Sequence, residues 1–349
     1  MKIGLALSGG RDSSLTAALL QREGHEVAAF HLLLSPPESS PVPRARDLGA
    51  VEELSARLGI GLTVIDLTAH FEEEIIAPFL AEYERGRTPS PCVSCNPRFK
   101  FGYLLEAALA AGCDRLASGH FARVDCADRA LLKKNRDPLR DESYFLHRLH
   151  RRQLSRMILP LGEISLRETE RLTAELLRGF EPLPSSAEAC FLGARKLGDF
   201  LRLRLVPRPG EIVDKEGRVL GEHPGYQFYT IGQRRGLGSA SGKRGPLFVL
   251  AVDPERNRVT AGGKADLLSS RLLAREPNWI AIDPPDNPVR AAAKIRYTHA
   301  GAPATIHPLA SDRIEVVFDR PQEAITPGQA VVFYDGDIVL GGAWIEKSL

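Results

Sequence analysis

A chain of 349 residues is too long for one ordinary hydrophobic core, so its length predicts two or three domains. With 43% hydrophobic and 26% charged residues it reads as a soluble globular protein, and a net charge of +2 does not by itself indicate nucleic-acid binding. Five cysteines, an odd number, argue against a disulfide framework, and no apolar run approaches the roughly 20 residues that span a bilayer. We therefore expect a cytoplasmic protein with no membrane partner.

The N-terminal part of the chain alternates strand patterns with helical periodicity. Strands are predicted over Lys2–Leu7, Glu26–Leu34, Leu62–Leu67 and Arg115–Ser118, and helices over Ser13–Glu23, Arg46–Leu58, Glu72–Glu84 and Phe99–Ala111. A polar stretch with prolines, Ser35 to Pro43, predicts a loop after the second strand. This order predicts an α/β fold with a doubly wound parallel sheet, whose ligands bind at the carboxyl ends of the strands.

A mainly helical segment from Arg151 to Leu205 precedes a region of short strands separated by glycine turns. The predicted strands are Glu211–Val219, Gln227–Ile231, Leu247–Val252, Arg258–Ala261, Arg290–Tyr297, Ala304–Pro308, Arg313–Phe318, Ala330–Tyr334 and Ile338–Trp344. Asp335-Gly336 predicts a hairpin turn between the last two. We predict a catalytic α/β domain over 1–206, a small central β domain over 207–268 and a C-terminal β-barrel over 269–349.

A glycine-rich turn, Ser8-Gly9-Gly10-Arg11-Asp12-Ser13-Ser14, joins the first strand to the first helix. Its backbone N–H groups and the positive end of the helix dipole favour a phosphate, its serines add donors, and Asp12 suits a magnesium ion. No Lys-Ser/Thr pair follows the last glycine, which excludes a Walker A loop. The simpler alternative is a turn that only caps the helix. The turn resembles the phosphate loop of the PP-loop ATP pyrophosphatases, which implies ATP and Mg²⁺ bound by Ser8, Gly9, Gly10, Asp12, Ser13 and Ser14.

Three cysteines stand in distinctive settings. Cys92 and Cys95 lie three residues apart in a proline-containing loop with basic neighbours, and Cys190 precedes Phe191 far along the chain. Because nearby cations depress thiol pKa values, we expect reactive thiolates at Cys92 and Cys95. The other two, Cys113 and Cys126, are predicted to be packing residues.

Taken together, these motifs resemble the tRNA-specific 2-thiouridylases of the MnmA family over nearly the whole chain. The segments that carry the likeness, in the family's order, are the phosphate loop, Thr88–Asn96, Gly119–Arg123, Asp141–Leu146, Cys190-Phe191, Pro209–Val213, Phe228–Gly238, Thr326–Ala330 and Gly341–Trp344. The resemblance implies ATP-dependent replacement of the C2 oxygen of a tRNA uridine, most often the wobble uridine, by sulfur. It also implies two partners, tRNA and a sulfur-donor protein, which is a cysteine desulfurase or a sulfur relay.

The resemblance further implies residue roles. Cys190 would carry a persulfide, Cys95 would release its sulfur by forming a disulfide, and Gly119 and His120 would belong to the nucleotide site. With Cys92, the two catalytic thiols could instead ligate three irons of a [4Fe–4S] cluster, and the sequence leaves persulfide and cluster chemistry open. The expected RNA-contacting residues are Arg148, Arg151, Arg152, Gln233, Arg234 and Arg235.

Several positions depart from the family pattern. Arg11 replaces a small apolar residue of the phosphate loop, and Arg140 and Glu142 replace Lys and Gln. Because the departures surround the nucleotide and the target base, three alternatives stay open at this stage. They are a divergent thiolase acting on another tRNA position, a PP-loop ligase that adenylates a small molecule, and a catalytically silent RNA-binding paralogue.

Overall fold

The computed structural model describes residues 1–34, 44–126, 128–180, 183, 189–193, 195–237 and 245–349. The predicted loop from Ser35 to Pro43 and the last residue of the Phe228–Gly238 motif lie outside the described residues. In the described part of the chain, no helix combines the length and apolar character needed to cross a membrane.

The strands are β1 Lys2–Ala6, β2 Glu26–Leu33, β3 Gly61–Asp66, β4 Arg115–Ala117, β5 Ala122–Asp125, β6 Leu131–Lys134, β7 Met157–Ile158, β8 Gly210–Val213, β9 Val219–His223, β10 Phe248–Asp253, β11 Arg258–Gly262, β12 Leu268–Trp279, β13 Val289–Lys294, β14 Ala302–Leu309, β15 Arg313–Glu323, β16 Ala330–Asp335 and β17 Ile338–Ser348. The α-helices are α1 Arg11–Arg22, α2 Arg44–Leu58, α3 Thr68–Phe71, α4 Ala77–Glu84, α5 Pro91–Cys95, α6 Leu104–Ala110, α7 Arg151–Leu154, α8 Leu166–Leu176 and α9 Leu197–Arg204. Two π-helical segments, Glu72–Ile76 and Asn96–Tyr103, connect α3 to α4 and α5 to α6.

The N-terminal unit contains a parallel sheet of five strands in the order β3-β2-β1-β4-β7. Ile3 and Leu5 of β1 are fully buried, and α1 packs its own apolar residues against them. The strand order reverses on either side of β1, and in such sheets ligands bind outside the carboxyl ends of the strands near that reversal. The turn after β1 lies at this point, which confirms the predicted fold for this part of the chain.

The C-terminal strands close into a barrel because β12 pairs with both β15 and β17. The order β12-β15-β14-β13-β16-β17 therefore forms a ring of six antiparallel strands around its own apolar core. The N-terminal unit adds the hairpin β5–β6 to this sheet through the pairing of Lys133 with Ile338. Between the two, β10-β11-β8-β9 form a small four-stranded sheet. Both predicted β-rich units are confirmed.

Some predicted elements are wrong in detail. Glu211–Val219 is two strands, β8 and β9, separated by a turn at Gly217, whose φ is +81°. The strand predicted over Gln227–Ile231 is a 3₁₀ turn, Tyr226–Phe228, followed by irregular chain. The part of Arg151–Leu205 predicted to be mainly helical includes β7, whose two residues complete the parallel sheet.

Candidate active site

The turn after β1 is shaped by its own side chains. Ser13 Oγ accepts the N–H of Ser8 at 3.2 Å and donates to the carbonyl of Gly10 at 3.0 Å, while Ser14 Oγ donates to the same carbonyl at 2.8 Å. The φ of Gly9 is +76°, a conformation that favours glycine. Gly10, the N-cap of α1, has no side chain with which to cap the helix, so the first N–H groups of α1 remain for an outside acceptor. The structure therefore places the predicted phosphate-binding residues together in one turn, the phosphate turn (residues 8–14), at the N-terminus of α1.

Gly119 packs directly on this turn. A Cβ at Gly119 would lie 2.8 Å from the backbone carbonyl carbon of Asp12 and from the backbone nitrogen of Ser13. Backbone atoms cannot move aside as a flexible side chain can, so the fit requires glycine. The sequence predicted Gly119 as a nucleotide-site residue, and the structure gives it a second, steric role.

We expect Gly119→Ala to displace the phosphate turn, lowering the free energy of unfolding by about 1–3 kcal/mol through overpacking and raising the KM for ATP. Thermal unfolding and ATP–pyrophosphate exchange measure the two effects. Gly49→Ala is the matched control, because a Cβ at Gly49 meets no atom within 4 Å. An unaltered KM in the Gly119→Ala variant would contradict the packing described here.

Cys92 and Cys95 lie one turn apart on the short helix α5, which begins at Pro91. Residues three apart share one face of a helix, so both thiols belong to one side of α5. In the π-helical segment that follows, the carbonyls of Pro97 and Phe101 each accept from Gln153 Nε2 at 2.7 Å. These bonds attach the segment after α5 to α7.

The segment that carries Cys190 packs against the same region. The ring of Phe191 lies 5.3 Å from that of Phe79 and 5.4 Å from that of Phe200, in an apolar cluster that also contains Cys95. Upstream, the N–H of Leu183 donates to the carbonyl of Gly9 at 3.0 Å. The fold therefore packs Phe191, the neighbour of Cys190, in the cluster that contains Cys95, and it holds Leu183 at the turn after β1.

The thiol pKa values run opposite to the sequence expectation. Burial, reinforced by the charge of Cys190, raises the pKa of Cys92 to about 11 and raises that of Cys95 further. Desolvation also raises the pKa of the Cys190 thiol, although the residue as a whole is exposed. The basic side chains expected near the thiols are Arg87, Arg98 and Lys100, and of these only Lys100 lowers the thiol pKa values. Arg87 pairs with Glu82 at 3.7 Å, and Arg98 donates to the carbonyl of Glu74 at 3.2 Å.

We expect Cys92 to react slowly with iodoacetamide at neutral pH. Its pKa is raised, so the thiol form prevails at pH 7, and the reactive thiolate grows about tenfold per pH unit until the pH approaches 11. Mass spectrometry of labelled peptides at a series of pH values measures the rate. Cys126, which is exposed rather than packed as predicted, reports reagent access. Fast, pH-independent labelling of Cys92 would disprove the raised pKa.

Lys100 and His120 form a contact that the sequence did not reveal. Lys100 Nζ lies 3.3 Å from His120 Nε2, and Ser118 Oγ lies 2.8 Å from Nδ1. An ammonium only donates, so Nε2 is the acceptor and Nδ1–H donates to Ser118. Burial, and then the charge of Lys100, lower the pKa of His120 well below its usual range, which keeps the ring neutral. Lys100 is thus a cation shared by the imidazole and the three thiols.

The cysteines do not form a site for a single metal ion. Across the described ranges, no group of three or more His, Cys, Asp or Glu side chains is placed to hold one metal ion. Cys92, Cys95 and Cys190 interact electrostatically, and a [4Fe–4S] cluster would take each thiolate on a different iron, so the cluster alternative stays a prediction. Asp12, the predicted Mg²⁺ ligand, accepts from Arg11 through Oδ1 and from Arg140 through Oδ2, so its role toward Mg²⁺ stays a prediction.

Three of the six expected RNA-contacting residues form hydrogen bonds with other parts of the chain. Arg148 donates to the carbonyl of Glu276 at 3.0 Å, and Arg151 donates to that of Ile280 at 2.8 Å, so both attach the N-terminal unit to the barrel. The Gln233 side chain bonds the backbone of its own loop at both ends. The other three, Arg152, Arg234 and Arg235, are exposed.

Comparison with known families and relatives covers all three units. Residues 1–194 match the family model "tRNA methyl transferase HUP domain", residues 198–263 the "tRNA methyl transferase PRC-barrel domain" and residues 269–345 the "Aminomethyltransferase beta-barrel domain". The tRNA-specific 2-thiouridylase MnmA of Moorella thermoacetica is 44% identical over 98% of this chain and 99% of its own length. The chain belongs to the MnmA family. Another member, from Geobacter metallireducens, is 41% identical over the whole of this chain and 97% of its own length.

One of the solved structures similar to this chain is a thiolase described with an iron–sulfur cluster. The U34-tRNA thiolase NcsA of Methanococcus maripaludis, described with its [4Fe–4S] cluster, is 19% identical to this MnmA-family chain. The match covers 58% of this chain and 65% of NcsA, with a TM-score of 0.36. A likeness at that level carries no conclusion about a cluster in this chain.

Proposed function

We propose that this chain is an ATP-dependent tRNA 2-thiouridylase that acts on the wobble uridine. The proposal is supported by the coupling of Cys95 and Cys190 to one cation, Lys100. Lys100 contacts His120, and the neighbouring Gly119 packs on the phosphate turn. Family membership over the full chain supports an enzyme acting on tRNA. It leaves the small-molecule ligase and the silent paralogue without a supporting observation.

The chemistry requires activation of a poor leaving group. Transfer of AMP from ATP to the C2 oxygen of the uridine releases pyrophosphate, which the phosphate turn would hold with Mg²⁺ at Asp12. Mg²⁺, when bound, supplies charge neutralisation of the departing phosphates. The other residues of the phosphate turn, from Ser8 to Ser14, would donate hydrogen bonds to the pyrophosphate from their hydroxyl and backbone N–H groups.

Sulfur transfer then uses two thiols in sequence. The outer sulfur of a Cys190 persulfide attacks C2 and AMP leaves, so that the base is joined to Cys190 through a disulfide. The Cys95 thiolate attacks the Cys190 sulfur, a Cys95–Cys190 disulfide forms, and the thiouridine leaves with the transferred sulfur. An external thiol reductant restores the pair, and a cysteine desulfurase or sulfur relay protein reloads the persulfide.

Lys100 serves this sequence as the local cation. Its charge lowers the pKa of Cys92, Cys95 and Cys190 against the stronger effect of burial. The neutral His120 beside it presents its Nε2 lone pair to the ammonium and not to a thiol. Exposed Arg152, Arg234 and Arg235 are proposed to contact tRNA phosphates.

The test is deletion of the gene from its host, followed by digestion of total tRNA and mass spectrometry of the thionucleosides. We expect 2-thiouridine derivatives at the wobble position to disappear and to return with the plasmid-borne gene. If every thiolated uridine persists in the deletion strain, the proposed function fails. Loss of thiolation at a different uridine would instead identify the divergent thiolase.

A further inference from the structure

The departures from the family pattern lie together in space around Asp12. Arg11 donates from Nε to Asp12 Oδ1 at 2.9 Å, and Arg140 donates from Nη2 to Asp12 Oδ2 at 3.1 Å. Glu142 accepts the N–H of Phe121 at 3.0 Å and interacts electrostatically with Arg140 and Asp12. Arg11, Arg140 and Glu142, which differ from the family pattern at separate places in the sequence, therefore form one charge cluster with Asp12 at the phosphate turn.

The cluster holds the Arg11 guanidinium in a defined place. Arg140 is fixed by the face of Phe121, whose ring centroid lies 4.2 Å from the guanidinium carbon, and Phe121 is fully buried. Asp12 then bridges the fixed Arg140 to Arg11, which is the first residue of α1. Asp12 and Glu142 together balance the two guanidiniums, so the attraction for an anion comes from the positive end of the helix dipole and from the N–H donors that Arg11 retains.

Arg11 also retains donors for a ligand. A guanidinium carries five N–H donors, and within the described part of the chain Arg11 donates to Asp12 through Nε alone. Its side chain is 34% exposed. The terminal nitrogens therefore lie at the edge of the turn with solvent access, and guanidinium donors match phosphate oxygens in a bidentate manner.

We infer that Arg11 is a binding residue for the β- and γ-phosphates of ATP, held at the phosphate turn by the Asp12 bridge to Arg140. The inference rests on the proposed function and adds a substrate-binding residue to that site. AMP lacks both phosphates, so its binding is independent of Arg11. Pyrophosphate binding should therefore depend on the Arg11 contact, and AMP binding should not.

The experiment is isothermal titration calorimetry with pyrophosphate in Mg²⁺ and, separately, with AMP. We expect Arg11→Val to weaken pyrophosphate binding about tenfold, the equivalent of one charge-assisted contact, and to leave the Kd for AMP unchanged. Arg11→Lys, which keeps the charge but not the fork, should lie between Arg11→Val and wild type. Arg22→Val removes the same charge from the exposed last turn of α1 and should change neither Kd.

Two results would overturn the inference: an unchanged Kd for pyrophosphate in Arg11→Val, or equal losses for pyrophosphate and AMP, which would indicate a deformed turn. If Arg11→Val melts early, Arg11→Gln repeats the comparison with a polar chain of similar reach. A wild-type protein that binds neither pyrophosphate nor AMP would contradict the proposed function itself. The two failures are thereby distinguished.

Discussion

We expect Cys190→Ser to reduce tRNA thiolation by a factor on the order of 10⁴ or more and to leave ATP–pyrophosphate exchange within about twofold of wild type. A serine hydroxyl has nearly the size of the thiol but carries no persulfide sulfur. Cys190 lies at the start of a 3₁₀ turn, whereas the residues proposed to hold the phosphates lie at the start of α1. Removing the Cys190 sulfur should therefore leave the proposed phosphate-binding residues in place.

The measurement pairs thionucleoside analysis of tRNA with isotope exchange between ATP and pyrophosphate in the presence of tRNA. Cys126→Ser is the matched control, because Cys126 is an exposed cysteine whose nearest described partner is the carbonyl of Leu154 at 3.9 Å. Loss of both activities in Cys190→Ser would contradict the division of labour between the thiol and the phosphate turn. Retained thiolation would remove Cys190 from the reaction altogether.

The sequence predicted the parallel sheet well because each of its three longer strands, β1, β2 and β3, is a mainly apolar run followed by a helical pattern. It missed β7 because two residues, Met157 and Ile158, are too few to give a period. It also missed β12, in which charged Arg271 and Arg275 interrupt the apolar alternation. Those side chains face outward on the barrel, where Arg271 pairs with Glu315.

The candidate site was predictable only where neighbours in sequence are neighbours in space. The phosphate turn is one continuous segment, so its residues could be named from the sequence. The thiol environment could not, because Arg87 and Arg98 turn toward Glu82 and the backbone of Glu74, which leaves burial to dominate the pKa of Cys92.

Pairings across long sequence separations were equally inaccessible to the sequence. Arg140 reaches Asp12 across 128 residues, and Lys100 reaches His120 across 20. Arg148 and Arg151 are a related case, since a basic run predicts an RNA surface, whereas the fold uses both side chains to bind carbonyls of the barrel. The charge of an arginine indicates that it has an oxygen acceptor but does not specify whether that acceptor belongs to RNA or to the protein.

Asp12→Asn should lower ATP–pyrophosphate exchange by a factor of about 10²–10³ and should lower thiolation equally, since adenylation precedes sulfur transfer. Both carboxylate oxygens of Asp12 accept from guanidiniums, one from Arg11 and one from Arg140. An asparagine offers one oxygen and one N–H₂ group, so one guanidinium faces another donor, and the only carboxylate of the turn suited to Mg²⁺ is lost.

Asp114→Asn is the matched control for this charge change. Asp114 accepts the N–H of Lys2 at 2.9 Å, and both residues lie at the amino ends of β1 and β4, on the opposite edge of the sheet from the phosphate turn. If Asp12 holds the metal, raising the Mg²⁺ concentration should restore part of the exchange in Asp12→Asn. Full exchange without added Mg²⁺ would remove Asp12 from metal binding. If added Mg²⁺ does not restore exchange in Asp12→Asn, the function of Asp12 is the bridge between Arg11 and Arg140. That bridge depends on the carboxylate and not on the ion.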